Sequence, residues 1–366
     1  MHICIIAPER LPVPGDGSVE ICIWAIARRL AERHKVTIIS RKVPGLPAYT
    51  LLEQVRIIRL PASTPVHYLN SVLDFIRKEA FDIIQVDNRP HLMSVVKKQL
   101  PDTPVFLFLH SLTFTPVTDK VAKALGKADL IIVNSHSLQR RLQHRFPKLK
   151  KGLQIVLLGA DLDRFTPVQA EKKQQLRSLY RLPQTFTVLF VGRVIPRKGV
   201  HILIRAMSRL NRHLPAHLII AGKSQPSYIR QLKLLARRLR VSVTFLGNVA
   251  HEDIHTLYQA ADCFVCPSQH HESFGLVNVE AMACGLPVVA SSNGGIREII
   301  ASGHNGYLVE RYREALPFAR HLLRLARNPQ LAANIGSQGR TDALAAFNWQ
   351  RTATDLEQLY QASVTQ

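Results

Sequence analysis

Two glutamates, Glu272 and Glu280, stand eight residues apart in PSQHHESFGLVNVEAMACGLPVVAS, residues 267–291. Between them the chain turns from a loop into a helix that ends at Gly285. If the helix begins near Gly275, the amides of Phe274, Gly275 and Leu276 come first and lack intrahelical acceptors. Such amides, aided by the helix dipole, suit an anionic phosphate or sugar oxygens. Glu272, just before the helix, and Glu280, on it, then border one site.

Other candidates follow strand ends. His110 closes the apolar run VFLFLH and is expected to point into the same cleft; a histidine satisfied at a strand end is the alternative. Asn88, Arg89 and Pro90 follow DIIQVD, where Arg89 meets either a phosphate or an anionic acceptor, or else serves a structural turn. In PVPGDGSVE, residues 12–20, Gly15 and Gly17 form a loop whose backbone can approach phosphate or acceptor closely. This loop is not the complete GxGxxG of a dinucleotide fold.

The elements that must position these residues are legible from their period. Short apolar runs rich in β-branched residues at 1–7, 36–39, 55–60, 83–86, 105–109 and 130–134 alternate with amphipathic stretches such as 19–33. That is the βαβ rhythm of a parallel sheet wound on both faces. After GADLDRFTPV the rhythm restarts, with strands at 187–191, 217–221, 243–246, 263–266 and 287–291 and helices such as 202–211 and 229–239. The expected class is α/β, with two tandem Rossmann-like domains facing an interdomain cleft. The boundaries are placed at 1–165 and 166–347, with a final helix, 348–366, packing back on the first domain. In such sheets ligands bind beyond the carboxyl ends of the strands.

At this point the chain resembles a known family, the retaining nucleotide-sugar glycosyltransferases of the GT-B fold, in the large family 4 group (glycosyl transferases group 1). That family carries two glutamates in a frame like PSxxExFGxxxxEAMAxGxPVV, matched here apart from one extra residue before Glu272. FVGRVIPRKGVHILIRA (190–206) is similar to its GRxxxxKG segment, and NGGIREII, NGYLV and FNWQRTATDLEQLY are similar to later elements. The resemblance implies that Arg193 and Lys198 bind the donor diphosphate and that Glu280 accepts hydrogen bonds from the ribose hydroxyls. It further implies that Glu272 holds hydroxyls of the transferred sugar, with Phe274, Gly275 and Leu276 beside phosphate and sugar, and that His110 contacts the donor sugar. The loop with Gly15 and Gly17 departs from the family's adjacent glycine pair, because Ser18 follows Gly17. Asp161-Leu162-Asp163 matches the metal-binding signature of the other major glycosyltransferase fold, yet GADLDRF looks like this family's interdomain segment. No metal or other cofactor is therefore expected, the nucleotide-diphosphate sugar being the donor substrate.

Composition bounds the rest. The 366 residues include Cys4, Cys22, Cys263, Cys266 and Cys284, an odd number in apolar contexts; the C-x-x-C at 263–266 lacks a second pair at zinc-ligand spacing. Buried, inert thiols are expected. Neither an export signal nor an 18-residue apolar span is seen, so a cytoplasmic protein is expected, with peripheral contact at the inner membrane face or on the forming spore left open. A net charge of +22 attracts nucleic acid, anionic lipid and phosphorylated substrates alike. Two basic clusters stand out: Arg140, Arg141, Arg145, Lys148, Lys150 and Lys151, then Arg230, Lys233, Arg237, Arg238 and Arg240. They read as solvated helix faces or as contacts with an anionic membrane. No nucleic-acid motif is present, and no nucleic-acid partner is expected. A nicotinamide dehydrogenase would need a glycine fingerprint and a later acidic residue, and neither is clear. The expected activity is retaining sugar transfer to an unidentified glycan, lipid-linked or cell-envelope or spore-surface acceptor. The alternative is a non-catalytic or weakly active coat protein retaining the fold, since LPVPGDGSVEI faintly resembles the glycosyltransferase-like proteins of spore coats.

Overall fold

The structure, a computed structural model, describes residues 1–11, 17–149 and 152–364, and for Glu9 the backbone alone. Gly15, Lys150 and Lys151 lie outside the described residues. The chain divides into two units, Met1–Leu158 with Trp349–Gln366 and Gly159–Asn348.

The first unit begins with β1 (His2–Arg10), α1 (Ser18–Leu30), β2 (Lys35–Arg41), β3 (Tyr49–Leu52), β4 (Val55–Leu60) and α2 (Pro65–Ile76). It continues with β5 (Ile83–Asp87), α3 (Pro90–Gln99), β6 (Val105–Leu109), α4 (Asp119–Leu125), β7 (Leu130–Val133), α5 (His136–Arg145) and β8 (Leu153–Ile155). Strands β2, β5 and β6 are buried almost throughout because helices cover both faces of the sheet. Thr64, Thr118 and Ser135 start α2, α4 and α5 by accepting the amides of His67, Val121 and Leu138, which a polar cap residue does for otherwise orphaned donors. The strand order is β3-β4-β2-β1-β5-β6-β7-β8, parallel except for the β3–β4 hairpin at one edge.

The second unit holds α6 (Ala170–Leu179), β9 (Phe186–Val191), α7 (Val200–Leu210), β10 (Ala216–Ala221), α8 (Pro226–Arg238), β11 (Ser242–Gly247) and α9 (His255–Ala260). After these come β12 (Cys263–Cys266), α10 (Leu276–Ala283), β13 (Val288–Ser291), α11 (Ile296–Ile299), β14 (Tyr307–Val309), α12 (Ala315–Arg327) and α13 (Pro329–Ala346). Its all-parallel sheet runs β11-β10-β9-β12-β13-β14. The last helix, α14 (Trp349–Val364), packs on α1 and belongs to the first unit.

The first boundary falls earlier than residue 165. Phe165 is fully buried with its ring against Tyr258, His251 and His255, and the amide of Ala160 donates to the carbonyl of Phe347, so this segment is built into the second unit. All five cysteines are free and buried. Burial pushes the thiols of Cys4, Cys263 and Cys284 far above their ordinary range, so they pack as inert hydrophobes.

Both sheets have a point where the strand order reverses: between β1 and β5 in one, between β9 and β12 in the other. Neighbouring connections there leave to opposite faces, which opens a crevice at the carboxyl ends.

Candidate functional site

In the second unit the segments after β9 and β12 meet at this crevice. Beyond β9 the chain makes Gly192 and Arg193, a 3-10 turn over Pro196–Lys198, and Gly199. Gly199 has φ of +76°, and a Cβ there would sit 1.9 Å from the carbonyl oxygen of Pro267. Only a residue without a side chain permits that approach. The amide of Gln269 donates to the carbonyl of Arg197 at 2.7 Å, so the two segments are laced backbone to backbone.

That lacing delivers Lys198 to Glu272. Its Nζ donates to Glu272 Oε1 at 2.5 Å, and the buried hydroxyl of Ser268 donates to the same oxygen at 2.7 Å. The loop after β13 holds the backbone of Glu272: its amide donates to Asn293 Oδ1 at 3.2 Å and its carbonyl accepts from Gly295 at 2.8 Å. Asn293 Nδ2 in turn donates to the Ser268 carbonyl at 2.8 Å. Burial works against ionisation of Glu272, but the Lys198 ammonium, its hydrogen bond and the Ser268 hydroxyl outweigh it, and the carboxyl is held below its ordinary value. Lys198 and Glu272 are therefore one ion pair. Arg193, on the same segment, is exposed and takes no part in it.

Glycine 275, in a left-handed conformation, is the N-cap of α10, and the amides of Gly275 and Leu276 precede its first full turn. Phe274, which packs edge-on against Phe347, anchors this turn. Glu280 lies further along α10 and is only 4% exposed. Its Oε2 accepts from the Tyr258 hydroxyl at 2.8 Å, and its Oε1 lies 3.5 Å from His251 Nε2. Arg164 donates to His251 Nδ1 at 3.0 Å, which makes that nitrogen the acceptor and leaves the ring proton on Nε2, facing the carboxylate. Burial and then the neighbouring Glu280 push the Tyr258 phenol well above its ordinary value, so it stays a donor.

In the first unit His110 follows β6 and is buried. Its Nε2 lies 3.0 Å from Asp87 Oδ2, Asp87 Oδ1 accepts from Gln85 Nε2 at 2.7 Å, and Gln85 Oε1 accepts from the Tyr360 hydroxyl at 2.5 Å. Nε2 faces this fully buried carboxylate, and Nδ1 is buried with no protein partner among the described residues. Burial and the nearby Asp87 raise the Tyr360 phenol well above its ordinary value, which fixes the direction of the chain of hydrogen bonds. Asn88, at φ of +54°, turns its Oδ1 onto the amides of His110 and Ser111.

The remaining expectations have plainer surroundings. Arg89 stacks 3.4 Å from the centroid of Phe114 and reaches the Asn88 carbonyl. Gly17 gives its amide to Glu20 at 2.5 Å, capping α1. Asp161 engages Arg164 at 3.6 Å, and Asp163 is exposed. Tyr258 and His251 were not legible from motif spacing, whereas Ser268, in PSQHHESFG, and Asn293, in NGGIREII, lay inside segments that the sequence had singled out.

Two family models cover most of the chain: "Glycosyl transferases group 1" over residues 171–342 and "Glycosyltransferase Family 4" over residues 19–164. The chain is 31% identical to "Spore coat protein SA" of Bacillus subtilis (strain 168) over 379 residues, covering 99% of each. Among solved structures it resembles sucrose-phosphate synthase of Thermosynechococcus elongatus, at 26% identity and a TM-score of 0.85 over 100% of both chains. A likeness of fold extends to Anabaena HepE in complex with UDP-glucose, at 23% identity and a TM-score of 0.80, over 98% of this chain and 99% of that one.

Proposed function

Because this chain belongs to the glycosyl transferases group 1 family and is an enzyme that transfers sugar, we propose that it uses a nucleotide-diphosphate sugar and transfers the sugar with retention of configuration. The observation that carries the donor reading is the Lys198–Glu272 pair, set against the N-terminus of α10 at the reversal point between β9 and β12. A cation and helix amides face the diphosphate there, while a carboxylate beside them accepts hydrogen bonds from sugar hydroxyls. Exposed Arg193 supplies a second cation for the leaving diphosphate. Glu280 Oε1, which has only a long contact to His251, is the oxygen offered to the ribose.

In the reaction the bond from the anomeric carbon to phosphate oxygen breaks, and the acceptor oxygen bonds to that carbon on the same face. The acceptor proton passes to the departing phosphate. Lys198, Arg193 and the α10 amides stabilise the charge that develops on it. His110, whose buried Nδ1 has no protein partner among the described residues, is the residue of the first unit offered to a hydroxyl of the transferred sugar. The Bacillus relative's name favours a spore- or cell-surface precursor as acceptor.

Titration with nucleoside diphosphates and their sugars tests this reading. For Glu280→Gln both affinities should fall about 10- to 150-fold, since hydrogen bonds to a charged group contribute about 1.5–3 kcal/mol. Tyr258→Phe removes the internal donor and keeps the carboxylate, so its affinities should stay within about threefold of the parent's, the size of a weak neutral contact. Equal losses in both variants would make Glu280 a packing residue and remove the ribose reading. Proton NMR of the first-formed product should show the donor's anomeric configuration; inversion would overturn the mechanism. Turnover should also survive excess EDTA, because fixed cations and amides neutralise the diphosphate. Loss of turnover that magnesium or manganese restores would return the role to Asp161 and Asp163.

A further inference from the structure

Residues 172–251 contain sixteen lysines and arginines and not one aspartate or glutamate. Ordinary protein surfaces intersperse both signs, so a run of this length concentrates positive charge where the fold gathers it. It gathers it on α7 and α8. Arg205, Arg209 and Arg212 follow one another at helical spacing along α7 and its C-terminal turn, while the opposite side of α7 is core. With Arg238 of α8, Ser208, Leu235 and Leu239 they line a groove of about 440 Å³ between the two helices. Ser208 Oγ donates to the Leu239 carbonyl at 3.3 Å and ties its floor together. On the outer face of α8, Arg230, Lys233 and Arg237 surround Leu234, which is 63% exposed.

We propose that this α7–α8 face docks on an anionic lipid surface. The guanidiniums are exposed, and the segment that carries them supplies no carboxylate to neutralise them. Phosphodiester headgroups provide that charge, and arginine forks suit their oxygens. An apolar Leu234 amid three cations does nothing for a dissolved polyanion. On a bilayer it enters the boundary between headgroups and acyl chains, as the apolar residues of interfacial basic helices do. The thirteen residues of α8 extend about 20 Å at 1.5 Å per residue, long enough to span several headgroups. The other basic cluster fits less well, because Arg145 is committed to the carbonyls of Leu112 and Thr115. Among the described residues no helix is long and apolar enough to cross a membrane, so this contact is peripheral. The inference is independent of the donor site.

Flotation of the full chain with phosphatidylcholine vesicles containing about one third phosphatidylglycerol tests it. Binding should be strong at low salt and fall steeply as salt screens the charges. The triple variant Arg205→Glu, Arg209→Glu, Arg238→Glu should bind about 100-fold or more weakly, at roughly fivefold per basic residue. A second variant, Arg230→Gln, Leu234→Ser, Arg237→Gln, tests the outer face without charge reversal and should also weaken binding at least tenfold, on the same scale. Thermal melts would show that both remain folded. Equal binding to pure phosphatidylcholine, or undiminished binding by both folded variants, would overturn the proposal. So would release of the bound vesicles by dilute pyrophosphate, or tighter binding of single-stranded RNA at the same salt, since either would make the face a site for another anion.

Discussion

Replacing Glu272 by glutamine should slow sugar transfer about 10- to 150-fold while free nucleoside diphosphate still binds within a few-fold of the parent. The amide keeps the shape and an acceptor oxygen for Ser268, but it removes the charge that Lys198 meets and that is proposed to serve the sugar hydroxyls. Both side chains are less than one fifth exposed, so an unbalanced ammonium should also destabilise the fold by about 1–3 kcal/mol, below the 3–5 kcal/mol typical of losing a whole buried partner. The pH dependence separates these effects. Because the folded-state carboxyl is held below its unfolded value, its stabilisation is complete above that value, about 4.3, and is lost as pH falls through the folded one. Urea melts of parent and variant should therefore differ by a constant amount near neutrality and converge in acid. A gap that persists unchanged through the acid range would mean that the ion pair does not form. Parallel losses of transfer and diphosphate binding would reassign Glu272 to the nucleotide.

Gly294→Ala should lower the melting temperature by about 6–12 °C, on the scale of roughly 3 kcal/mol at 2–4 °C per kcal/mol. Gly294 has φ of +57°, and a Cβ there would lie 1.9 Å from the carbonyl oxygen of Glu272. Backbone strain and a clash with backbone thus coincide at Glu272, the residue proposed to hold the transferred sugar, and activity should fall with stability. Gly303→Ala separates the two causes. Gly303 has φ of +85° with nothing within 4 Å of the added carbon, so it bears the strain alone, about 1 kcal/mol. Equal melting temperatures for the two variants would show that the Gly294 loop can retreat from Glu272.

The parallel strands and most helices were legible because an apolar run of five or six residues, bounded by turns and followed by an amphipathic stretch, has few other readings. Strands β3, β8 and β14 escaped it. They are three or four residues long and lie at sheet edges, and β3 is largely exposed, so any alternation or apolar run they carry is too short to mark a strand. At the site, spacing revealed Glu272 and Glu280 because they flank one helix start. It could not reveal that Tyr258 and His251 converge on Glu280 from α9 and the loop before it, since that meeting depends on how α9 packs. Tyr360 reaches Gln85 across 275 positions, which no local pattern encodes.

The return of α14 to the first unit also decides how the gene can be cut. The second unit is one unbroken stretch, whereas the first is split by it, as in an insertion between Leu158 and Trp349. A stop codon before Trp349 would spare every residue of the proposed donor site yet strip His110's support at its far end, because Tyr360 would be gone. Expressing the first unit whole would require joining the two pieces through a new linker or permuting the chain. Recombination between relatives that exchanges second units must likewise carry two crossovers, and a single crossover near residue 158 would leave a foreign α14 against the native α1.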